Sequence, residues 1–167
     1  KDASPDEQLS LLEGNLMETN QTIVDIYSRY LFETEVIDTR ADHAMSVDEL
    51  KDAMLRAQEA SYGDGLDPEI RHPYMWACKS HYYSSGYNFY NFPYAFGELF
   101  AKGVFAQYLQ KGAAFVPDYC RLLRSCGSGT IADVAASVGI DVRNPDFWRS
   151  SLEVVKGNID KFCELVK

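Results

Sequence analysis

Histidine is scarce in this 167-residue chain, and cysteine is present without a recognisable spacing. No two histidines stand four residues apart, the spacing that puts two imidazoles on one helix face in H-E-x-x-H zinc sites. The cysteine spacings fit neither a zinc motif nor a redox motif. We therefore expect no self-contained metal site among the three histidines and four cysteines, which are His43, His72, His81, Cys78, Cys120, Cys126 and Cys163.

Positive charge is also in short supply. The chain has 16 Lys and Arg residues against 25 Asp and Glu residues, which gives a formal net charge of −9. Binding to nucleic acid needs a basic face that meets the phosphates, and anionic membrane surfaces attract basic segments. We therefore expect neither nucleic acid nor a membrane among the partners.

Long apolar runs are missing as well. No run approaches the roughly 20 apolar residues that cross a bilayer. The chain starts at Lys1 without the apolar stretch of a signal peptide. Unpaired thiols are typical of the reducing cytosol, so we expect free cysteines and a cytoplasmic location, with a Cys120–Cys126 bridge as the alternative.

The apolar pattern predicts an all-α fold. No run of alternating β-branched residues indicates a strand, and apolar positions recur at three- and four-residue steps. A capping box from Ser4 to Glu7, with Pro5 in the first turn, starts a helix that is predicted to run to about Ile37. Its apolar stripe comprises Leu9, Leu12, Leu16, Ile23, Tyr27 and Tyr30.

Start and stop signals divide the rest of the chain into shorter helices. Ser46 and Glu49 form a second capping box, and Gly63 ends the helix that it starts. Pro93 fits the first turn of a later helix. We predict helices from Ser46 to about Tyr62, around Met75–Lys79, from Pro93 to Lys111, from Ala113 to Ser125, from Thr130 to Ser137 and from Asn144 onward, with an irregular tyrosine loop before Pro93.

Tyrosine is concentrated in one segment. Six of the 11 tyrosines lie between Tyr74 and Tyr94, in the same stretch as His81 and Gly86. A buried Tyr hydroxyl costs free energy unless it finds a partner, so the cluster indicates either a hydrogen-bonded aromatic core or a set of donors facing a ligand. Phenols stay protonated at neutral pH and can donate to a substrate carbonyl or a developing oxyanion. Gly86 would let the backbone turn sharply or let a peptide approach closely.

Other catalytic arrangements have less support in the sequence. Ser80 directly precedes His81, but adjacent residues do not thereby form a hydrogen-bonded dyad, and there is no G-x-S-x-G motif. Asp48 and Glu49 lie in the first turn of a predicted helix, where carboxylates complement the helix dipole. The tyrosine segment therefore remains the main candidate site.

Three segments together resemble a known family. The loop from His81 through Gly86-Tyr87 to Gly97, the stretch from Thr22 to Glu33 and the ending Asn144-Pro-Asp-Phe-Trp148 resemble, in the same order, the C-terminal part of zinc oligoendopeptidases. These are enzymes of the oligoendopeptidase F type, relatives of thimet oligopeptidase. The resemblance covers nearly the whole chain, and the tyrosine loop is its most specific part. It implies that residues 1–167 are the C-terminal helical part of a larger, mostly helical zincin-type catalytic domain.

The resemblance also implies a chemistry. Enzymes of this family cleave short peptides with one zinc ion and a general-base Glu inside H-E-x-x-H. By their positions in the family's loop, the oxyanion-stabilising catalytic residues would be Tyr87 and Tyr94, and the substrate-binding residues would be His81, Gly86 and Tyr90. A further tyrosine of the thimet branch falls at Asn91 here, and Tyr90 could substitute for it.

The chain departs from the family by lacking the zinc-binding half, which precedes Lys1 in the family's order. We therefore expect zinc only in the intact enzyme, whose partners would be an oligopeptide substrate and, for this chain, the remainder of the parent. Alone, the chain is expected to be inactive and to self-associate, because uncovered apolar stripes tend to do so. The alternative is a stand-alone, non-catalytic helical module with an aromatic pocket for a peptide or a small ligand.

Overall fold

The computed structural model describes residues 3–167, and this range contains helices and turns without a strand. The predicted all-α fold class is confirmed. The α-helices are α1 (Pro5–Asn20), α2 (Ile26–Thr39), α3 (Val47–Tyr62), α4 (Phe92–Lys111), α5 (Val116–Arg124), α6 (Ile131–Ala136) and α7 (Pro145–Leu165).

The first predicted helix forms, but it is interrupted by one wider turn. Its capping box is present, because the Ser4 hydroxyl accepts from the Glu7 N–H at 3.3 Å and the Glu7 carboxylate accepts from the Ser4 N–H at 2.7 Å. A π-helical turn, Gln21–Asp25, then joins α1 to α2. Such turns change the phase of the residues that follow, and they are frequent at functional sites.

The apolar stripe does not mark the buried face in the second half of this helix. Tyr27 and Tyr30 are exposed, whereas Asp25 and Arg29 are buried with only 3% and 8% of their surface accessible. The π turn rotates the residues that follow it around the helix axis, so a different set of side chains is buried. The two buried charges are tolerated because they form an ion pair with each other.

Helix α3 begins and ends where the sequence predicts. The Glu49 N–H donates to the Ser46 hydroxyl, and the Ser46 N–H donates to the Glu49 carboxylate at 2.7 Å. That backbone donor and the neighbouring His43 ring lower the pKa of Glu49 to about 2. Gly63 follows the helix with a φ of 55°, the left-handed region that favours glycine.

The segment between α3 and α4 is built from short 3₁₀ turns. The predicted short helix near Met75 is a 3₁₀ turn, Met75–Cys78, and a second one, Ser80–Tyr83, follows it. From there the chain passes through irregular turns to α4, which has Pro93 in its first turn as predicted. The candidate loop therefore lies between a 3₁₀ turn and the start of a long helix.

The chain divides into two compact units. One comprises the residues up to Leu16 together with Gly97–Lys167, and the other is Met17–Phe96. Phe32, Ala53, Met54 and Ala57 form the buried core of Met17–Phe96. The buried core of the other unit comprises Val104, Phe115, Leu122, Ala135, Val138, Ile140 and Phe147. The assignment of all 167 residues to one peptidase domain stays a prediction.

Helices α4 and α7 approach each other closely at Gly103. A β-carbon at this position would lie 2.5 Å from a ring carbon of Phe147 and 2.7 Å from the Ser151 hydroxyl oxygen. Only a residue without a side chain fits there, so glycine sets the distance between these two helices.

Two further features concern the cysteines and the apolar character of the helices. The four cysteines are free thiols, and Cys120 and Cys126 do not form a bridge. Within residues 3–167, no helix combines the length and the apolar character that crossing a membrane requires.

Candidate functional site

The structure brings four of the five proposed site residues together, with three of them around the ring of the fourth, Tyr90. The His81 imidazole lies nearly parallel to the Tyr90 ring, with centroids 5.0 Å apart and an interplanar angle of 16°. Tyr87 and Tyr94 meet the same ring edge-on, at centroid distances of 5.0 Å and 5.9 Å. We call these four residues, His81, Tyr87, Tyr90 and Tyr94, the aromatic cluster.

The aromatic cluster is open to solvent. Tyr87, Tyr90 and Tyr94 keep 54%, 38% and 50% of their surface accessible. A hydrogen bond with the Tyr94 hydroxyl raises the pKa of Tyr90, so this phenol stays protonated at neutral pH. These three tyrosines are therefore not part of a closed core, and a ligand can reach their exposed surfaces.

Tyr82, in the same segment, belongs instead to a hydrogen-bonded aromatic core. Its ring packs against that of Phe32, with centroids 5.3 Å apart, and its hydroxyl donates to the Arg29 carbonyl at 3.2 Å. Burial raises the pKa of Tyr82 above its usual range. The tyrosine segment thus contains both a buried anchor and an exposed cluster, although the sequence pattern does not separate them.

Gly86 has an ordinary backbone conformation. It lies in a turn in which the Tyr87 N–H donates to the Ser84 carbonyl at 3.0 Å. Its φ is outside the left-handed region, and an added β-carbon would have no neighbour within 4 Å. The turn at Gly86 therefore does not depend on the conformational freedom of glycine, and close approach of a peptide at Gly86 stays a prediction.

The unusual backbone is at Phe89, which has a φ of 55°. A bulky residue in the left-handed region costs about 1–2 kcal/mol. Glu33 on α2 stabilises this conformation, because its carboxylate accepts a hydrogen bond from the Phe89 N–H at 2.7 Å. The Phe89 ring also packs against Tyr30, with centroids 5.7 Å apart.

A buried ionic network lies beside this contact. Asp25 forms an ion pair with Arg29 and accepts a hydrogen bond from the Tyr62 hydroxyl at 3.1 Å. The Arg29 guanidinium also donates to the Asn91 side-chain carbonyl at 3.4 Å. Asn91 therefore serves as a buried contact for α2.

Sequence reasoning missed Asp25, Arg29 and Glu33 as site residues. A signal was present, because the three charged residues follow one another at four-residue steps and so share one helix face. Alternating charges at this spacing are usually exposed pairs. Their burial depends on contacts with residues far along the chain.

The described residues offer no ligand set for a metal. Within residues 3–167, no group of three or more His, Cys, Asp or Glu side chains lies close enough to hold an ion. His43 contacts Glu49 at 2.8 Å, His72 accepts from the Tyr74 N–H at 3.1 Å, and His81 stacks on Tyr90. Residues 3–167 therefore supply no set of ligands for the zinc ion that is expected in the intact enzyme.

Comparisons with known proteins point to a peptidase. The chain is similar to Oligopeptidase PepF of Bacillus subtilis, with 27% identity over 105 residues. That alignment covers 63% of this chain but 15% of PepF, so the chain spans a small part of the relative's length. No family model and no solved structure matches the chain. The chain is therefore related in sequence to part of a peptidase.

Proposed function

We propose that this chain is the C-terminal part of a zinc metalloendopeptidase that hydrolyses oligopeptides, and that the aromatic cluster binds the substrate. The observation that carries the proposal is the open cluster itself, in which His81 and the exposed tyrosines Tyr87 and Tyr94 surround the exposed ring of Tyr90. The partial similarity to PepF supports the same reaction class.

In this proposal Tyr87 and Tyr94 are the catalytic residues. Both side chains are exposed, and a phenol hydroxyl can donate a hydrogen bond to a peptide carbonyl oxygen. Hydrogen-bond donors that face an oxygen on which negative charge develops lower the barrier of acyl transfer. The tyrosines would therefore act mainly as the peptide carbonyl becomes tetrahedral.

His81, Tyr90 and Gly86 would bind and orient the peptide. The Tyr90 ring stacks on His81 and also packs against Tyr87 and Tyr94, so it would hold the two catalytic tyrosines beside the bound peptide. Gly86 carries no side chain and has open space around it, so a peptide backbone can approach it closely.

The proposed zinc would be held outside this chain. In the intact enzyme it would polarise the scissile carbonyl and activate water. The remainder of the parent protein is then a required partner, and we propose the cytoplasm as the location. The net charge of −9 supports a partner set without nucleic acid or anionic membrane.

The coding sequence upstream of Lys1 tests the proposal first. We expect a longer open reading frame with an H-E-x-x-H motif and a third carboxylate ligand. The purified natural protein should cleave internally quenched oligopeptides, lose that activity with a chelator and regain it with zinc.

The alternative of a stand-alone binding module makes the opposite prediction. A natural chain that starts near Lys1, binds the same peptides and leaves them intact would overturn the peptidase proposal. Mass spectrometry of the peptides after incubation distinguishes binding from cleavage.

A further inference from the structure

Two buried side chains of α2 hold the loop that carries the aromatic cluster. Glu33 accepts from the Phe89 N–H at 2.7 Å, and Arg29 donates to the Asn91 side chain at 3.4 Å. Phe89 and Asn91 are the two residues that flank Tyr90 in the chain. The ring at the centre of the cluster is therefore fixed on both sides by contacts with one helix.

The backbone conformation of this loop is unfavourable without the contacts from α2. The Tyr90 N–H donates to the Tyr87 carbonyl at 3.1 Å, which closes a turn that has Phe89 as its third residue. Turns with a positive φ at this position usually contain Gly or Asn there. Phe89 lacks that freedom, so the turn persists because the surrounding contacts stabilise it.

The contact partners are themselves buried and held in place. The Arg29 guanidinium is paired with Asp25, and the Arg29 backbone carbonyl accepts a hydrogen bond from the Tyr82 hydroxyl. Asn91 has only 2% of its surface accessible. Glu33 has 9% of its surface accessible. Water therefore competes little for these hydrogen bonds, and the loop has a rigid support beneath it.

We propose that Glu33 and Arg29 are positioning residues that form the aromatic cluster before any peptide binds. Glu33 does so by holding Phe89 in the left-handed conformation, and Arg29 does so by holding Asn91. The use of the cluster in peptide hydrolysis rests on the proposed function, whereas its formation does not.

Proton NMR of this chain measures the arrangement directly. The ring current of Tyr90 shifts the ring protons of His81 upfield, because the two rings are stacked. Glu33→Ala should move these protons toward the positions of a free imidazole. Glu33→Gln should keep the upfield shift, since an amide carbonyl can still accept from the Phe89 N–H. The matched control is Glu35→Ala, which removes a carboxylate of the same helix that pairs with Arg56 on the surface.

Two further variants distinguish a loss of loop positioning from general misfolding. Glu33→Asp keeps the charge but withdraws the carboxylate by one methylene, so we expect a partial loss of the upfield shift. Adding Phe89→Gly to Glu33→Ala should restore most of it, because glycine adopts a positive φ without steric cost.

The natural full-length protein gives the second readout, the kinetics of oligopeptide cleavage. Glu33→Ala should lower kcat at least about tenfold with a smaller change in KM, and Glu33→Gln should retain most of the activity, since misplacing catalytic groups by an ångström costs up to about 10²-fold. If Glu33→Ala and Glu33→Asp both leave the His81 resonances at their wild-type positions, the positioning role is overturned, whatever the kinetics. If the resonances move and cleavage is unchanged, the positioning of the loop is supported and the proposed function is overturned.

Discussion

The Tyr62 hydroxyl donates a hydrogen bond to the Asp25 carboxylate at 3.1 Å, and so joins the end of α3 to the π turn. Asp25 is also the ion-pair partner of Arg29. Burial, and next the negative charge of Asp25, raise the pKa of Tyr62 to about 12. This tyrosine is therefore part of the support beneath the loop, although it lies outside the aromatic cluster.

Tyr62→Phe should destabilise the fold by about 1–3 kcal/mol, because it leaves one oxygen of a buried carboxylate without its donor. Urea denaturation followed by circular dichroism measures the loss. Tyr119→Phe is the matched control, since Tyr119 is an exposed tyrosine of α5, and it should change the unfolding free energy very little. Equal stability of the two variants would show that the hydrogen bond contributes nothing.

Stability should fall as the pH rises from about 10 to about 12. The unfolded chain loses the Tyr62 proton near pH 10, whereas the folded protein holds it to about 12, so alkaline pH favours unfolding. Tyr82, whose pKa is also raised by burial, acts in the same direction. Urea midpoints across this pH range measure the effect, and Tyr62→Phe should make the decline shallower. A decline as steep in Tyr62→Phe as in the wild type would contradict the assignment.

Tyr87→Phe should lower kcat for oligopeptide cleavage by the natural full-length protein about 10²–10³-fold, the usual cost of one lost oxyanion donor. KM should change little, because the interaction is made mainly in the transition state. Tyr94→Phe should have a similar or smaller effect, and Tyr119→Phe serves again as the control. Wild-type kcat in Tyr87→Phe would remove this residue from the catalytic set.

Gly103→Ala should destabilise the protein by about 1–3 kcal/mol, the usual cost of overpacking a core. The new methyl group would lie far inside the contact distance of Phe147 and Ser151. Gly157→Ala on α7 is the matched control, because a β-carbon there has no neighbour within 4 Å, and it should stabilise the helix by roughly 0.5–1 kcal/mol. Chemical denaturation measures both changes, and the prediction fails if the two variants shift stability in the same direction.

Local signals in the sequence predict the helices well. The capping boxes that start at Ser4 and Ser46 form as expected, and Pro93 and Pro145 lie in the first turns of their helices. These features depend on residues within four positions of one another, so their chemistry is visible in the sequence. The gathering of His81 with Tyr87, Tyr90 and Tyr94 depends on one short segment as well.

The support beneath the loop could not be predicted in the same way. Arg29 and Asn91 are separated by 62 positions, and Glu33 and Phe89 by 56. Helical spacing shows that Asp25, Arg29 and Glu33 share a face, but not that this face is buried. The left-handed conformation of Phe89 carries no local signal, because the residue type disfavours it.

Each compact unit contains one of the two tryptophans. Trp76 packs against the core of Met17–Phe96 and stacks with Phe32, and Trp148 packs against the other core, where its ring N–H donates to the Val142 carbonyl at 2.9 Å. The protein thus contains two tryptophan fluorophores with separate surroundings. Replacing either one with phenylalanine leaves a single tryptophan. Its emission, excited at a wavelength that tyrosine does not absorb, follows the melting of one core without a contribution from the other.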